Sequence, residues 1–266
     1  MNSLVVLNYH GIESAPGEYP WSKEEHIYVI AKAQWIFQMD EIFRRGFSTL
    51  SLKEANVWLE GQSVLQNPLM LTFDDGLVSH YEHALPILKK LSLKAVFFVS
   101  AGFVGQKGFM NWSELKGLIQ QGFEVGSHGL NHVPLTDLPE AEILRELEES
   151  KKMLEDRLGT AVSSFSVPRG FFRPQIQELA SKAGYQFLFT SRFDVNMSGQ
   201  NPLSLNRLAI RPDLSLERFC SWIHGRLGAK RFFEKIKQST RETLSPAIYM
   251  AASRAVNHLK SMGGWR

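Results

Sequence analysis

Short apolar runs alternate with longer amphipathic stretches along most of this chain. Leu4–Leu7, Phe47–Leu50, Leu69–Phe73, Ala95–Val99, Phe123–Val125, Ser163–Val167, Gln186–Phe189 and Leu205–Ile210 are each too short for a helix and are bounded by turn residues. Such runs read as buried strands. Between them, apolar residues recur at helical spacing. Trp35, Ile36, Met39, Ile42 and Phe43 form one face of a helix over Ala31–Arg45, which Gly46 is placed to end. Ser51 and Glu54 have capping-box spacing and open a helix over Leu52–Leu59. Further helices are predicted near Tyr81–Leu91, over Ser113–Gln121, from about Pro139 to Leu158, over Gln175–Ala183 and over Leu216–Leu227. The stretch after the first strand, with Gly11, Pro16, Gly17 and Pro20, reads as a polar loop. Strand–helix alternation predicts parallel β/α units, and 266 residues suit one α/β barrel.

A hydrophobic fraction of 44% supports a substantial core. The one cysteine, Cys220, excludes an intramolecular disulfide and a thiolate zinc site. The first ten residues lack a basic n-region and read as a strand rather than a signal peptide. With no apolar run of membrane-spanning length, the expectation is a soluble, cytoplasmic protein.

The net charge of +3 is unevenly spread. From Gly228 to Arg266 eight Lys/Arg face only Glu234 and Glu242, so this segment carries +6 and the rest of the chain −3. The predicted organisation is a barrel over residues 1–227 and a basic helical extension over 228–266. Phe232, Phe233, Ile236, Ile248, Tyr249 and Met250 lie between the extension's charges. Two readings stand: helices packed on the barrel with a solvated basic face, or peripheral contact with the inner face of an anionic membrane. In the second, each Lys/Arg contributes about 1 kcal/mol. The barrel portion is not basic and carries no base-reading motif, which argues against a nucleic-acid partner.

The candidate chemistry follows the strands. Asp74 and Asp75 end the run Leu69–Phe73, just before Gly76. Paired like charges there are costly without a metal or another cation. His128 and His132 follow the run Phe123–Val125 in the same way. One carboxylate and two imidazoles suffice for a three-ligand metal site with open positions, leaving the other carboxylate as a base. Pro168-Arg169 also follows a strand, and in a β/α barrel the strand C-termini converge on one face. The plainer alternatives are a solvated acidic turn and two surface histidines. His10 reads as a satisfied residue near the site mouth and Trp112 as a packing or capping residue. His26, His80, His83, His224 and His258 show no partner pattern.

Thr72-Phe73-Asp74-Asp75-Gly76 and Ser127-His128-Gly129-Leu130-Asn131-His132 resemble the first two motifs of the NodB-type polysaccharide deacetylases, carbohydrate esterase family 4. Leu7-Asn8-Tyr9-His10 is similar to the strand that opens many members. The resemblance covers roughly Leu4 to Pro212. It implies a distorted (β/α) barrel with fewer than eight strands and a divalent metal, usually Zn²⁺. It also implies Asp74 as the base and Asp75, His128 and His132 as the metal ligands.

Two departures stand out. Ser166 occupies the place of the third motif's arginine, with Arg169 at that motif's aromatic position. Arg207 occupies the place of the last motif's histidine, which serves as acid. Arg169 either pairs with Asp74 in place of the missing arginine or forms a plain salt bridge, and a backbone N–H near it is a candidate oxyanion donor. Arg207 either orients a water or is structural, because a guanidinium with pKa above about 12 is a poor acid. The implied activity is metal-dependent removal of an N-acyl group, expected to be acetyl, from an amino sugar in a glycan or lipid-linked glycan precursor. The alternatives are a deformylase, a small-amide hydrolase, or a carbohydrate-binding protein that has lost turnover.

Overall fold

The apolar runs assemble into a parallel sheet. The computed structural model describes residues 3–19, 26–63 and 65–243. In chain order the strands are β1 (Val5–Tyr9), β2 (Ile12–Glu13), β3 (Ile30–Ala31), β4 (Ser48–Thr49), β5 (Pro68–Phe73), β6 (Val96–Val99), β7 (Glu124–Ser127), β8 (Ser164–Ser166), β9 (Phe187–Phe189) and β10 (Leu208–Ala209). Eight of them form one sheet, in the order β10-β1-β5-β6-β7-β8-β9 with β4 on β5, all paired in parallel. The stretch expected to be a plain polar loop instead contains β2 and β3, which pair with each other.

The expected strand over Leu205–Ile210 is shorter than the apolar run. Leu205 bridges Phe189, and only Leu208 and Ala209 pair with β1. Arg207 interrupts the run by turning into the interior, where its guanidinium is buried. Segment 205–209 thus joins β9 to β1 and closes the wall into a distorted barrel.

Side-chain alternation divides each strand between two environments. Val5, Leu7, Tyr9, Leu69, Leu71 and Phe73 belong to the core shared with the helices. Leu4, Val6, Met70, Val96, Phe98, Phe187, Phe189 and Leu205 fill the interior. Burial on both faces explains why these strands are continuous apolar runs. Further along the same inward rows come Asn8, Thr72, Asp74, Ser166 and Arg207, all buried. The interior is therefore oily at the strand N-termini and polar at the C-termini, as a barrel active site requires. Gly126 marks the tightest point, because a Cβ there would come 2.5 Å from both the Phe98 ring and Ser164 Oγ.

The helices are α1 (Lys32–Arg44), α2 (Leu52–Leu59), α3 (Leu85–Lys90), α4 (Trp112–Gln120), α5 (Glu140–Leu158), α6 (Pro174–Lys182), α7 (Leu216–Ile223) and α8 (Ala229–Thr243). The Ser51–Glu54 capping box forms, and Asn111 with Glu114 makes a second one on α4. Trp112 begins α4 and packs against the core. Helix α7 stops short of the expected Leu227, because the chain turns at Gly225 with φ +73°. Helix α8 is the described part of the C-terminal extension, and the expected contributions of Ile248, Tyr249 and Met250 lie outside the described residues.

A wide turn over His80–Ala84 precedes α3. Pro86, in the first turn of α3, has no N–H and would press on the carbonyl four residues back. The wider turn relieves that clash. His80 packs against Phe73 and donates through Nε2 to His10 O at 2.9 Å. Burial pushes its pKa down to about 4, from an ordinary value of about 6.5. In that window the unfolded chain takes a proton that the folded chain refuses. Stability should therefore fall by about 3 kcal/mol in total as pH drops from about 6.5 to 4. Urea titrations across this range, with chelator present, should show a shallower slope for His80→Gln, which keeps a donor but cannot ionise.

Candidate active site

The turn after β5 separates the two aspartates. Asp75 and Gly76 both take left-handed φ values, +78° and +79°. A Cβ at Gly76 would crowd the Val99 side chain at 3.0 Å. Asp74 remains on the inward row, whereas Asp75 is turned toward the loop after β7.

Asp74 is gripped by Arg207. Nη1 donates to Oδ1 and Nη2 to Oδ2, each at 2.8 Å. Asn8 Nδ2 adds a third donor to Oδ2 at 3.0 Å. The guanidinium also donates through Nη2 to Ser166 Oγ at 2.8 Å and through Nε to Thr190 O at 2.9 Å. It lies between Phe98 and Phe189, 5.8 and 6.0 Å from their ring centres. Burial would raise the Asp74 pKa, but the charges of Arg207 and then His128 hold it well below the usual carboxylate range.

Hence Arg207 supplies the guanidinium that the third motif lacks, reaching Ser166 Oγ from the segment that lies beyond β9. The expected alternative, Arg169 against Asp74, does not form. Arg169 sits in the turn after β8 with φ +55°, and its Nε donates to His132 O at 3.5 Å.

Asp75 Oδ1 lies 3.3 Å from His128 Nε2 and 3.2 Å from His132 Nε2. The three ligand atoms lie within 4.8 Å of one another. His128 Nδ1 is 2.8 Å from Ser166 O, a contact that requires the proton on Nδ1 and leaves Nε2 bare in the neutral ring. Asp75 Oδ1 is itself buried without a hydrogen-bond donor. Bare acceptors converging on one point are what a cation needs, so the residues present fit a divalent metal. The local field agrees. Burial lowers the His128 pKa, yet Asp74 and then Asp75 draw it above its ordinary value. Among the described residues this is the one cluster of three or more such ligands.

Glu146, on the buried face of α5, shapes the histidine loop. Its Oε2 accepts from Leu130 N at 2.8 Å and Asn131 N at 3.1 Å, and its Oε1 accepts from Asn131 Nδ2. Sequence reasoning did not single it out, although it is an acid on the same face as Ile143, Leu147 and Leu154. Glu146→Gln replaces an acceptor with a donor facing these N–H groups. It should weaken metal affinity about 10–100-fold, as read by competition against a zinc-binding dye.

His10 departs from its expected role as a satisfied residue. Its Nδ1 is buried with no partner, and its ring stacks on Tyr28 at 4.8 Å. Burial lowers its pKa against the opposing pull of Asp75 and Asp74, which places it within electrostatic reach of both carboxylates.

Known proteins resemble the chain in both sequence and fold. A family model described as polysaccharide deacetylase matches residues 62–188. The poly-β-1,6-N-acetyl-D-glucosamine N-deacetylase of Staphylococcus aureus is 26% identical over 232 residues, 80% of each chain. IcaB from Ammonifex degensii superposes with a TM-score of 0.74 at 29% identity, covering 84% of this chain and 98% of that one. The Streptococcus pyogenes deacetylase PplD, solved in complex with acetate, gives 0.72 at 25% identity, covering 81% and 95%. With the acidic and histidine motifs meeting at the C-terminal ends of β5 and β7 in one parallel barrel, the chain is similar in sequence and in fold to the polysaccharide deacetylases, hydrolases of amide C–N bonds.

Proposed function

We propose that this chain hydrolyses the N-acetyl group of an amino sugar in a polysaccharide or lipid-linked glycan, using a divalent cation, Zn²⁺, held by Asp75, His128 and His132. The observation that carries this reading is the convergence of three bare ligand atoms within 4.8 Å, beside a separately held carboxylate, Asp74. When bound, the ion would polarise the amide carbonyl and lower the pKa of a bound water toward about 7.

Asp74 takes the proton from the attacking water. Its depressed pKa keeps it ionised at neutral pH but makes it a weak base, so its contribution comes from position. The Arg207 fork and Asn8 fix that position. The Arg169 amide, in the left-handed turn after β8, is the candidate donor to the carbonyl oxygen. Arg207 cannot release a proton. Asp74 therefore returns the proton it took from the water to the departing amine.

The amino-sugar part of the reading is supported by the substrate named for the staphylococcal relative, and the acetyl part by the acetate named with PplD. The test is acetate release from β-1,6-linked N-acetylglucosamine oligomers with added Zn²⁺, then from other N-acetylated oligosaccharides. Metal-dependent release is expected. Absence of release from every amino-sugar substrate, with metal bound, overturns the reading. Calorimetric sugar binding without release would leave a carbohydrate-binding protein in its place.

A further inference from the structure

Helix α8 is amphipathic in the opposite sense to a helix packed on a core. A surface helix ordinarily turns apolar residues inward and charges outward. Here three of the charges reach the body of the protein, although Arg231 and Lys235 stay 49% and 58% exposed and Lys237, paired within the helix, 61%. Arg231 Nε and Lys235 Nζ meet Asp194 at 2.9 and 3.5 Å. The Lys230 ammonium lies 4.5 Å over the Trp222 ring and 5.5 Å over that of Phe193. Phe232 and Phe233 turn outward, 66% and 61% exposed, with their rings 6.0 Å apart and edge to face. Adjacent large rings presented this way mark a docking surface.

The surrounding charge selects the occupant. The helix carries Lys230, Arg231, Lys235, Lys237 and Arg241 against Glu234 and Glu242, within a segment of net +6 on a chain otherwise net −3. A second copy of the chain would set one basic segment against another. An anionic bilayer accepts both features at once: aromatic rings at the headgroup–acyl boundary, and lysines and arginines among the phosphates.

We propose that α8 docks this protein on an anionic lipid surface through Phe232 and Phe233, while Asp194, Trp222 and Phe193 keep the helix fastened to the barrel. The inference concerns a surface outside the active site and holds whichever amide the enzyme cleaves.

The test is co-sedimentation of the full chain with phosphatidylcholine vesicles, and with the same vesicles containing about 30% phosphatidylglycerol. Binding is expected for the anionic vesicles alone, and raising salt to about 0.5 M should weaken it. The double variant Phe232→Ser/Phe233→Ser should partition at least about tenfold less. Its melting temperature and acetate release from a soluble oligomer should be unchanged, because both rings are exposed. Equal binding of the variant and the native chain, or no binding to either vesicle, overturns the proposal. So does a native dimer, seen by light scattering, that the double variant splits.

Discussion

Arg207→Met should unfold about 3–5 kcal/mol more readily than the native chain, and adding Asp74→Asn should restore much of that loss. The reasoning lies in the surroundings. Both residues of the pair are almost completely excluded from solvent. Removing the guanidinium strands a carboxylate among Phe98, Phe189 and the interior strands, and it withdraws the donors to Ser166 Oγ and Thr190 O. Neutralising position 74 removes the uncompensated charge and leaves only unsatisfied neutral acceptors, a smaller cost. Urea unfolding of both single variants and the double variant, all with chelator, gives the coupling as a double-mutant cycle. Strict additivity would show that the fork is not the source. The sign with pH is also defined. In the native chain the Asp74 pKa is lowered, so its stabilisation is present above the ordinary carboxylate range and is lost as pH falls below it. Without Arg207, burial would raise that pKa and acid would favour the folded form. The gap between the two proteins should therefore narrow on acidification.

Asp74→Asn alone should reduce turnover about 10²–10⁴-fold while leaving metal affinity close to native. Asp74's oxygens are engaged by Arg207 and Asn8, whereas the cluster that fits a metal is built from Asp75, His128 and His132. An amide at position 74 keeps one acceptor for the fork but cannot take a proton. Asp75→Asn should show the converse pattern, losing affinity first and turnover with it. Turnover at saturating Zn²⁺, set beside a metal titration of each variant, separates the two roles. Equal loss of metal by both variants would place Asp74 in the ligand set and refute this division. Assays belong well below each variant's melting temperature, because an amide at position 74 leaves the buried Arg207 guanidinium without its full counter-charge.

Local features were the legible ones. The strand–helix alternation, the Ser51–Glu54 cap and the Asp75–His128–His132 cluster each depend on neighbouring residues or on strand ends that a barrel must bring together. What escaped notice depends on distance. Arg207 reaches a carboxylate 133 positions away, across the closure of the ring, and no local spacing announces that. Glu146 lies in a helix crowded with Glu142, Glu148, Glu149 and Glu155, so its burial could be found only by following the apolar face. The ending Tyr9-His10 shows nothing of whether the ring nitrogen will find a partner. Strands β2 and β3 are two residues each, too short for any periodicity to register.

Arg207 sits on the last stave of the wall, so the seam and the counter-ion of the proposed base are one and the same stretch of chain. A polypeptide ending before Leu205 would carry both signature motifs and every metal-binding side chain. Its interior would be open, and its inward aspartate would have nothing to offset its charge. Hydrolytic competence should therefore arrive late in synthesis, when residues 205–209 slot between the first strand and the ninth, and an emerging chain should remain inert until then.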